Sequence, residues 1–291
     1  MAGQTLSEIR GLLAAAGLRP QHRFGQNFLI DLNLMRKLVA AAEIVPGDVV
    51  LEVGAGTGSL TELLLRSGAR VVAAEIDRGL SAMLAERLAG APNITLYTGD
   101  ALAGKHSIEP QLLAMLSEHA PGPGGARKLV ANLPYQIATP LLMELLHVRP
   151  PLERMVCTIQ REVGERLLAP PRSDAYGPVS VVMSVLARVE LLAQLPPEAF
   201  WPRPKIDSVM MRIRPLPPGF AGPNDAADFA RFVQRAFQHR RKMLRRGLRD
   251  AYEGDVETLL ASAGVSPESR PEELAAQEWR TLYRLARSSV R

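Results

Sequence analysis

Asp48-Val49-Val50-Leu51-Glu52-Val53-Gly54-Ala55-Gly56-Thr57-Gly58 is the stretch on which the fold turns. Its apolar run reads as a buried strand, and the glycines behind it form a tight turn. Leu60, Leu63, Leu64 and Leu65 then set a helical stripe. The alternation continues outward with a strand at 70–75, a helix at 78–88, strands at 94–98 and 128–131, and a helix at 138–147. Such spacing predicts an α/β fold, a parallel sheet covered by helices.

Pro121-Gly122-Pro123-Gly124-Gly125 cannot sit inside an element and reads as a surface loop before the fourth strand. Residues 154–160, 188–195 and 208–214 look like strands that extend the sheet in an order the sequence leaves open. A second Pro-rich break at 215–223 precedes a purely helical pattern from Asp225 onward. The expected division therefore lies near residue 218, with a catalytic domain over 1–218 and a helical domain over 219–291.

Composition narrows the class. At 291 residues, 47% hydrophobic and 22% charged, the chain has the make-up of a soluble globular protein. No apolar run approaches the roughly 20 residues of a membrane span. The start, with Glu8 and Arg10 ahead of Gly11 and Gly17, lacks the order of a signal peptide. The single cysteine, Cys157, excludes an internal disulfide and any multi-cysteine metal site, and is expected to be a buried, inert thiol. These features predict a cytoplasmic protein with no membrane and no metal. The net charge of +5 favours polyanions. Arg231, Arg235, Arg240, Arg241, Lys242, Arg245, Arg246 and Arg249 follow one another without an acidic residue between them, forming a positive stripe suited to RNA phosphates.

The chemistry begins at Gly54 and Gly56, which let the backbone approach a ligand. A dinucleotide fingerprint would continue to a third Gly or Ala where this chain has Ser59, so a smaller nucleoside is preferred over a pyrophosphate. Alone, the turn could also be a tight structural turn with no ligand. Glu75 ends the second strand and Asp100 follows the third, which places both at the carboxyl edge where open parallel sheets bind ligands. Glu75 could accept two ribose hydroxyls, and Asp100 the amine of an adenine ring. Each carboxylate taken singly reads as a helix cap or a solvated side chain.

Asn132-Leu133-Pro134-Tyr135 is the most specific feature and follows the fourth strand. An adenine amine is a poor nucleophile because its lone pair is delocalised into the ring. The Asn132 side-chain oxygen and the Leu133 carbonyl could accept both N6 hydrogens and localise that pair, while Tyr135 stacks on the base. An isolated match of this kind also fits an ordinary turn. Phe24-Gly25-Gln26-Asn27-Phe28-Leu29 could form a flap across a cofactor's amino-acid end, ahead of an N-cap at Asp31.

Residues 22–29, 52–58, 75–77 and 99–102, Asn132–Tyr135, and Phe200-Trp201-Pro202-Arg203-Pro204-Lys205-Ile206-Asp207-Ser208 occur in one order. Together they resemble the ribosomal RNA small-subunit adenine N6,N6-dimethyltransferase family. The resemblance implies a Rossmann-like class I methyltransferase sheet with a small all-helical C-terminal domain, and S-adenosyl-L-methionine as cofactor. It implies four methyl transfers to two neighbouring adenosines in a hairpin loop near the 3′ end of small-subunit ribosomal RNA, in ribosome biogenesis. Its cofactor contacts would be Asn27, Leu29, Gly54, Gly56, Glu75, Asp100 and Asn132. The catalytic segment would be Asn132, Leu133, Pro134 and Tyr135, with Phe200 flanking the base or serving as a core aromatic. Arg240, Arg241, Lys242, Arg245 and Arg246 would bind RNA, and the protein would act as a monomer. Gln136 and Met243 depart from the commonest pattern of that family.

Three alternatives stay open: the related large-subunit RNA adenine methyltransferase that confers macrolide resistance, a methylation-dead RNA-binding factor on the same fold, and a nicotinamide dehydrogenase. The Pro-rich 200–208 segment and the Arg-Arg-Lys run speak against the first, and intact Glu75, Asp100 and Asn132 against the second. Ser59 speaks against the third.

Overall fold

The computed structural model describes all residues except 1–2, 105–106, 217–224, 240–241 and 289–291. Two compact units divide the chain, residues 1–164 with 190–214 and residues 165–189 with 215–291.

β1 (Val49–Val53), β2 (Arg70–Glu75), β3 (Ile94–Thr98), β4 (Arg127–Asn132), β5 (Arg154–Gln160), β6 (Ala187–Leu195) and β7 (Ser208–Pro215) form one sheet in the order β3-β2-β1-β4-β5-β7-β6, which belongs to the first unit except at residues 187–189 and 215. The ladders from β3 through to β5 are parallel, and β7 runs antiparallel to β5. All five residues of β1 are buried, which explains why its sequence is apolar on both faces, Glu52 excepted, instead of alternating. Val50, Val71, Val130 and Val156, one from each of four neighbouring strands, share a core with Leu38, Leu64 and Met210. Burying each such side chain stabilises by about 1.5–3 kcal/mol. Cys157 is buried on β5, where burial pushes its thiol up to about 12.

The helices follow local signals. α1 (Leu6–Ala15), which the periodicity did not reveal, starts with a capping box between Thr5 and Glu8. α2 (Leu32–Ala41) starts at Asp31, whose carboxylate accepts the N–H groups of Asn33 and Leu34 as expected. α3 (Ser59–Arg66) and α4 (Arg78–Arg87) follow β1 and β2, while α5 (Pro110–Glu118) and α6 (Ala138–Leu145) flank β4. The strand order reverses direction between β1 and β4, so the carboxyl ends of these two strands border a crevice at the switch point.

α7 (Arg161–Leu168) begins in the first unit and ends in the second. The second unit is helical: α8 (Pro178–Leu186), α9 (Asp225–Ala236), α10 (Leu244–Ala251), α11 (Val256–Ala263) and α12 (Ala276–Ser288). Trp279 is fully buried, stacked on Phe237 at 5.4 Å, and Phe229 meets Tyr283 edge-on at 5.4 Å. The expected division near 218 falls outside the described residues. Residues 165–189, assigned to the catalytic domain from sequence, belong to the second unit instead. The reason is packing: Val181, Val182, Met183 and Val185 of α8 are buried, and Tyr176 donates to the Leu274 carbonyl at 2.6 Å. No described helix is long and apolar enough to cross a membrane.

Candidate active site

Loops at the carboxyl ends of β1 to β4, with residues 23–28, enclose a cavity of about 290 Å³. Asn27, Gly54, Gly56, Glu75 and Asp100 line it, as do Asn132, Leu133, Pro134 and Tyr135.

The glycine turn owes its composition first to the neighbouring protein. Gly54 has φ +81°, and a Cβ there would stand 3.1 Å from the Pro134 ring. Gly56 has φ +57°, and its Cβ would lie 2.9 Å from Phe28. The turn can thus close on both the 132–135 segment and the 23–28 segment, and its main chain still lines the cavity. Arg87 of α4 holds it from behind, donating to the Thr57 carbonyl and pairing with Glu62. Ser59, where a dinucleotide site would have Gly or Ala, accepts the Gln4 N–H at 2.8 Å.

Glu75 is 4% exposed. Its Oε2 accepts the Gly56 N–H at 2.7 Å and its Oε1 the Asp77 N–H at 2.9 Å. Each oxygen keeps a lone-pair site for a ligand hydroxyl. Burial pushes this carboxyl above its ordinary value, and the two main-chain donors oppose the shift. Asp77 caps α4 and also receives the side-chain amides of Gln21 and Gln26 at 2.9 and 3.1 Å, which ties the 21–29 segment beside Glu75. Asp100 is exposed at the rim, one oxygen accepting the Leu102 N–H. Between them Ile76, 38% exposed, presents an apolar wall to the cavity.

Asn132 is held on both sides. Its Nδ2 donates to the Asn27 carbonyl at 2.8 Å, and its Oδ1 accepts the Thr158 hydroxyl. The Leu133 N–H donates to the Thr158 carbonyl, and the Leu133 side chain is buried. Half-buried Tyr135 bonds through its hydroxyl to Ser208 Oγ at 2.7 Å, and burial pushes its phenol upward. Gln136 is exposed on the cavity lining.

Two expected site residues sit elsewhere. Phe200, expected either beside the target base or as a core aromatic, is 2% exposed, belongs to the core and lines neither described cavity. The cause is a short antiparallel ladder in which Phe28 pairs with Trp201 and Leu29 with Phe200, turning both Leu29 and Phe200 inward. Leu29 accordingly misses the main cavity and lines a small adjoining one of about 40 Å³ with Gly54, Asn132 and Glu52. Glu52 is buried, its Oε2 has no partner among the described residues, and burial pushes its carboxyl up to about 8.

In the second unit, Lys242, Arg245 and Arg246 are exposed, while α10 buries Leu244, Gly247 and Leu248 on its other face. Arg240 and Arg241 lie outside the described residues. Ile76, Thr158 and the Gln26–Asp77 contact shape the site although no sequence motif marks a role for them. The available signal for Thr158 was a hydroxyl inside an otherwise apolar strand.

The lining combines a buried carboxylate at Glu75 with lone pairs to spare, an exposed carboxylate at Asp100, an apolar wall at Ile76 and a fixed amide oxygen at Asn132. That set fits a nucleoside with free hydroxyls beside a second group that donates hydrogen bonds. The family described as ribosomal RNA adenine dimethylase matches residues 17–287. The chain is 38% identical over 284 residues to ribosomal RNA small subunit methyltransferase A of Moorella thermoacetica, covering 97% of this chain and 96% of that one. It is 40% identical over 280 residues to the protein of the same name from Parasynechococcus marenigrum, covering 94% and 89%. Among solved structures, the 23S rRNA methyltransferase ErmE is similar with a TM-score of 0.61 at 27% identity, covering 90% of this chain and all of that one. A dimethyladenosine transferase from Plasmodium falciparum shares the fold with a TM-score of 0.65 at 23% identity, covering 86% and 94%. The chain belongs to the ribosomal RNA adenine dimethylase family.

Proposed function

We propose that this protein transfers methyl groups from S-adenosyl-L-methionine to N6 of two adjacent adenosines in a hairpin loop near the 3′ end of small-subunit ribosomal RNA, forming N6,N6-dimethyladenosine. It acts as a cytoplasmic monomer on the assembling small subunit. The observation that carries the reading is the Asn132 amide oxygen, held by Thr158 and Asn27 at the edge that also bears Glu75 and Asp100.

In this reading Glu75 accepts the ribose hydroxyls, Asp100 the cofactor's adenine amine, and Ile76 packs on that ring. Gly54, Gly56 and Asn27 border the amino-acid end. The cofactor's sulfonium supplies an electrophilic methyl group. Asn132 Oδ1 and the Leu133 carbonyl take the two N6 hydrogens, so the nitrogen lone pair is drawn out of the ring and aimed at the methyl carbon, with Tyr135 stacked on the base. As the N–C bond forms and the S–C bond breaks, the nitrogen becomes acidic and its proton leaves to water. No strong base is needed, which suits neutral acceptors. The second transfer reuses the clamp with one hydrogen and one methyl on N6.

The helical unit supplies affinity for the RNA backbone, with Arg240, Arg241, Lys242, Arg245 and Arg246 as phosphate ligands. A loop target suits this arrangement, because its bases unstack at low cost. The curated relatives, at 38–40% identity, are named for the small subunit, whereas the large-subunit enzyme is 27% identical.

The purified protein given labelled S-adenosyl-L-methionine and undermethylated small subunits is expected to yield N6,N6-dimethyladenosine. Asn132→Ala should cut the rate by roughly 100-fold or more, the scale of losing an acceptor aligned with the transition state. Label only in large-subunit RNA, or in no RNA, would overturn the reading.

A further inference from the structure

We infer that two buried hydroxyls, Thr158 on β5 and Ser208 on β7, are the positioning groups that preset the amine clamp and the stacking ring; the inference rests on the function proposed above. Thr158 stands opposite Asn132 in the parallel β4–β5 ladder and opposite Met210 in the antiparallel β5–β7 ladder. Ser208 stands opposite Gln160, two residues along β5 from Thr158. Directly paired residues and residues two apart share a face, so Asn132, Thr158 and Ser208 all lie on one side of the sheet. Thr158 is 1% exposed and Ser208 fully buried.

Thr158 braces both residues of the clamp. Its hydroxyl donates to Asn132 Oδ1, and its carbonyl takes the Leu133 N–H at 3.2 Å. An amide turned over at Asn132 would set its oxygen against the Asn27 carbonyl and offer NH₂ toward the target amine, two donors face to face. The Asn27 carbonyl, which can only accept, excludes that orientation, and the Thr158 hydroxyl donates to the oxygen so placed. One lone pair of Oδ1 is taken by Thr158, which leaves one for an N6 hydrogen. Ser208 performs the matching task for Tyr135, whose ring would otherwise turn about its side-chain torsions. Neither hydroxyl lines the cavity, so each acts through another residue and not on the substrate.

The test compares steady-state kinetics on undermethylated small subunits. Thr158→Val keeps the shape and the main-chain acceptor but loses the donor, and should lower kcat about five- to tenfold, the scale of one lost hydrogen bond. Cofactor Kd should stay within twofold, the mono- to dimethyl product ratio should rise, and Thr158→Ser should restore wild-type values. Ser208→Ala and Tyr135→Phe should each lower kcat, and the double variant should match the singles because both cut the same bond. Wild-type kcat in Thr158→Val, equal impairment in Thr158→Ser, or additive losses in the 135/208 pair would overturn the inference. Should Thr158→Val not fold, Thr158→Cys, a weaker donor of similar size, is read against Thr158→Ser in the same way. If the wild-type protein methylates no RNA, the functional reading fails and takes this inference with it; a wild type that methylates while the variants miss the stated pattern overturns this inference alone.

Discussion

The segment Asn132–Tyr135 and the stripe Lys242–Arg249 are the two parts of the molecule most concerned with RNA in the proposed function, and they are built on opposite plans. Asn132 is bonded by Asn27 and Thr158, Leu133 is packed and its N–H used, and Tyr135 is tethered to Ser208. Lys242, Arg245 and Arg246 extend into solvent from a helix whose inner face carries Leu244 and Leu248. The difference follows from what each must do. Directing a lone pair requires acceptors already in place, since disorder there is subtracted from the rate. Attracting phosphate requires only charge, and mobile side chains can follow a backbone whatever its sequence.

That contrast is open to attack in order of expected effect. On the braced side, Glu75→Ala should weaken S-adenosyl-L-methionine binding by roughly 10- to 100-fold, the scale of losing hydrogen bonds to a charged acceptor. RNA affinity measured without cofactor should be unchanged; a parallel loss of both would show that Glu75 serves the fold. On the unbraced side, Lys242→Ala, Arg245→Ala and Arg246→Ala combined should weaken RNA binding about tenfold at physiological salt and flatten the log–log salt slope by about 2, with cofactor affinity intact. An unchanged slope would mean that the stripe meets no phosphate.

The smallest effect separates Glu52 from Glu75, two of the buried acids of the first unit. Glu52, unlike Glu75, has an oxygen without a partner among the described residues, and its carboxyl is pushed up to about 8 by burial. Its folded form therefore holds a proton that the unfolded chain releases at the ordinary carboxylate value. Stability contributed this way is present at low pH and lost as pH rises to about 8. In Glu52→Gln that decline should vanish, so the melting temperature of the variant relative to wild type should climb by a few degrees between about pH 5 and 8. Parallel pH profiles for the two proteins would contradict it.

Much of this was legible in the chain itself. Continuous apolar runs mark β1, β2 and β4 because buried parallel strands have no solvent face to alternate with. The acids Glu75 and Asp100 could be placed at one edge because parallel strands put all their carboxyl ends together. α8 was not legible: Pro178–Leu186 is rich in valine, which favours strands, yet it is helical because its burial is nearly complete around its circumference. For Phe200 the resemblance left two places open, beside the base or in the core, and a two-residue ladder with Leu29 turns it into the core.

Local sequence thus determined the elements, the carboxyl-edge acids and the family, since each depends on residues near one another in the chain or on a fixed strand-turn-helix grammar. Tertiary structure alone decided the strand order, the recruitment of residues 165–189 into the helical unit, and the partners of the clamp. Thr158 lies 26 positions from Asn132 and Ser208 lies 73 from Tyr135. A hydrogen bond across such distances exists only after strand register has brought the two side chains to the same face, and no local pattern encodes that register.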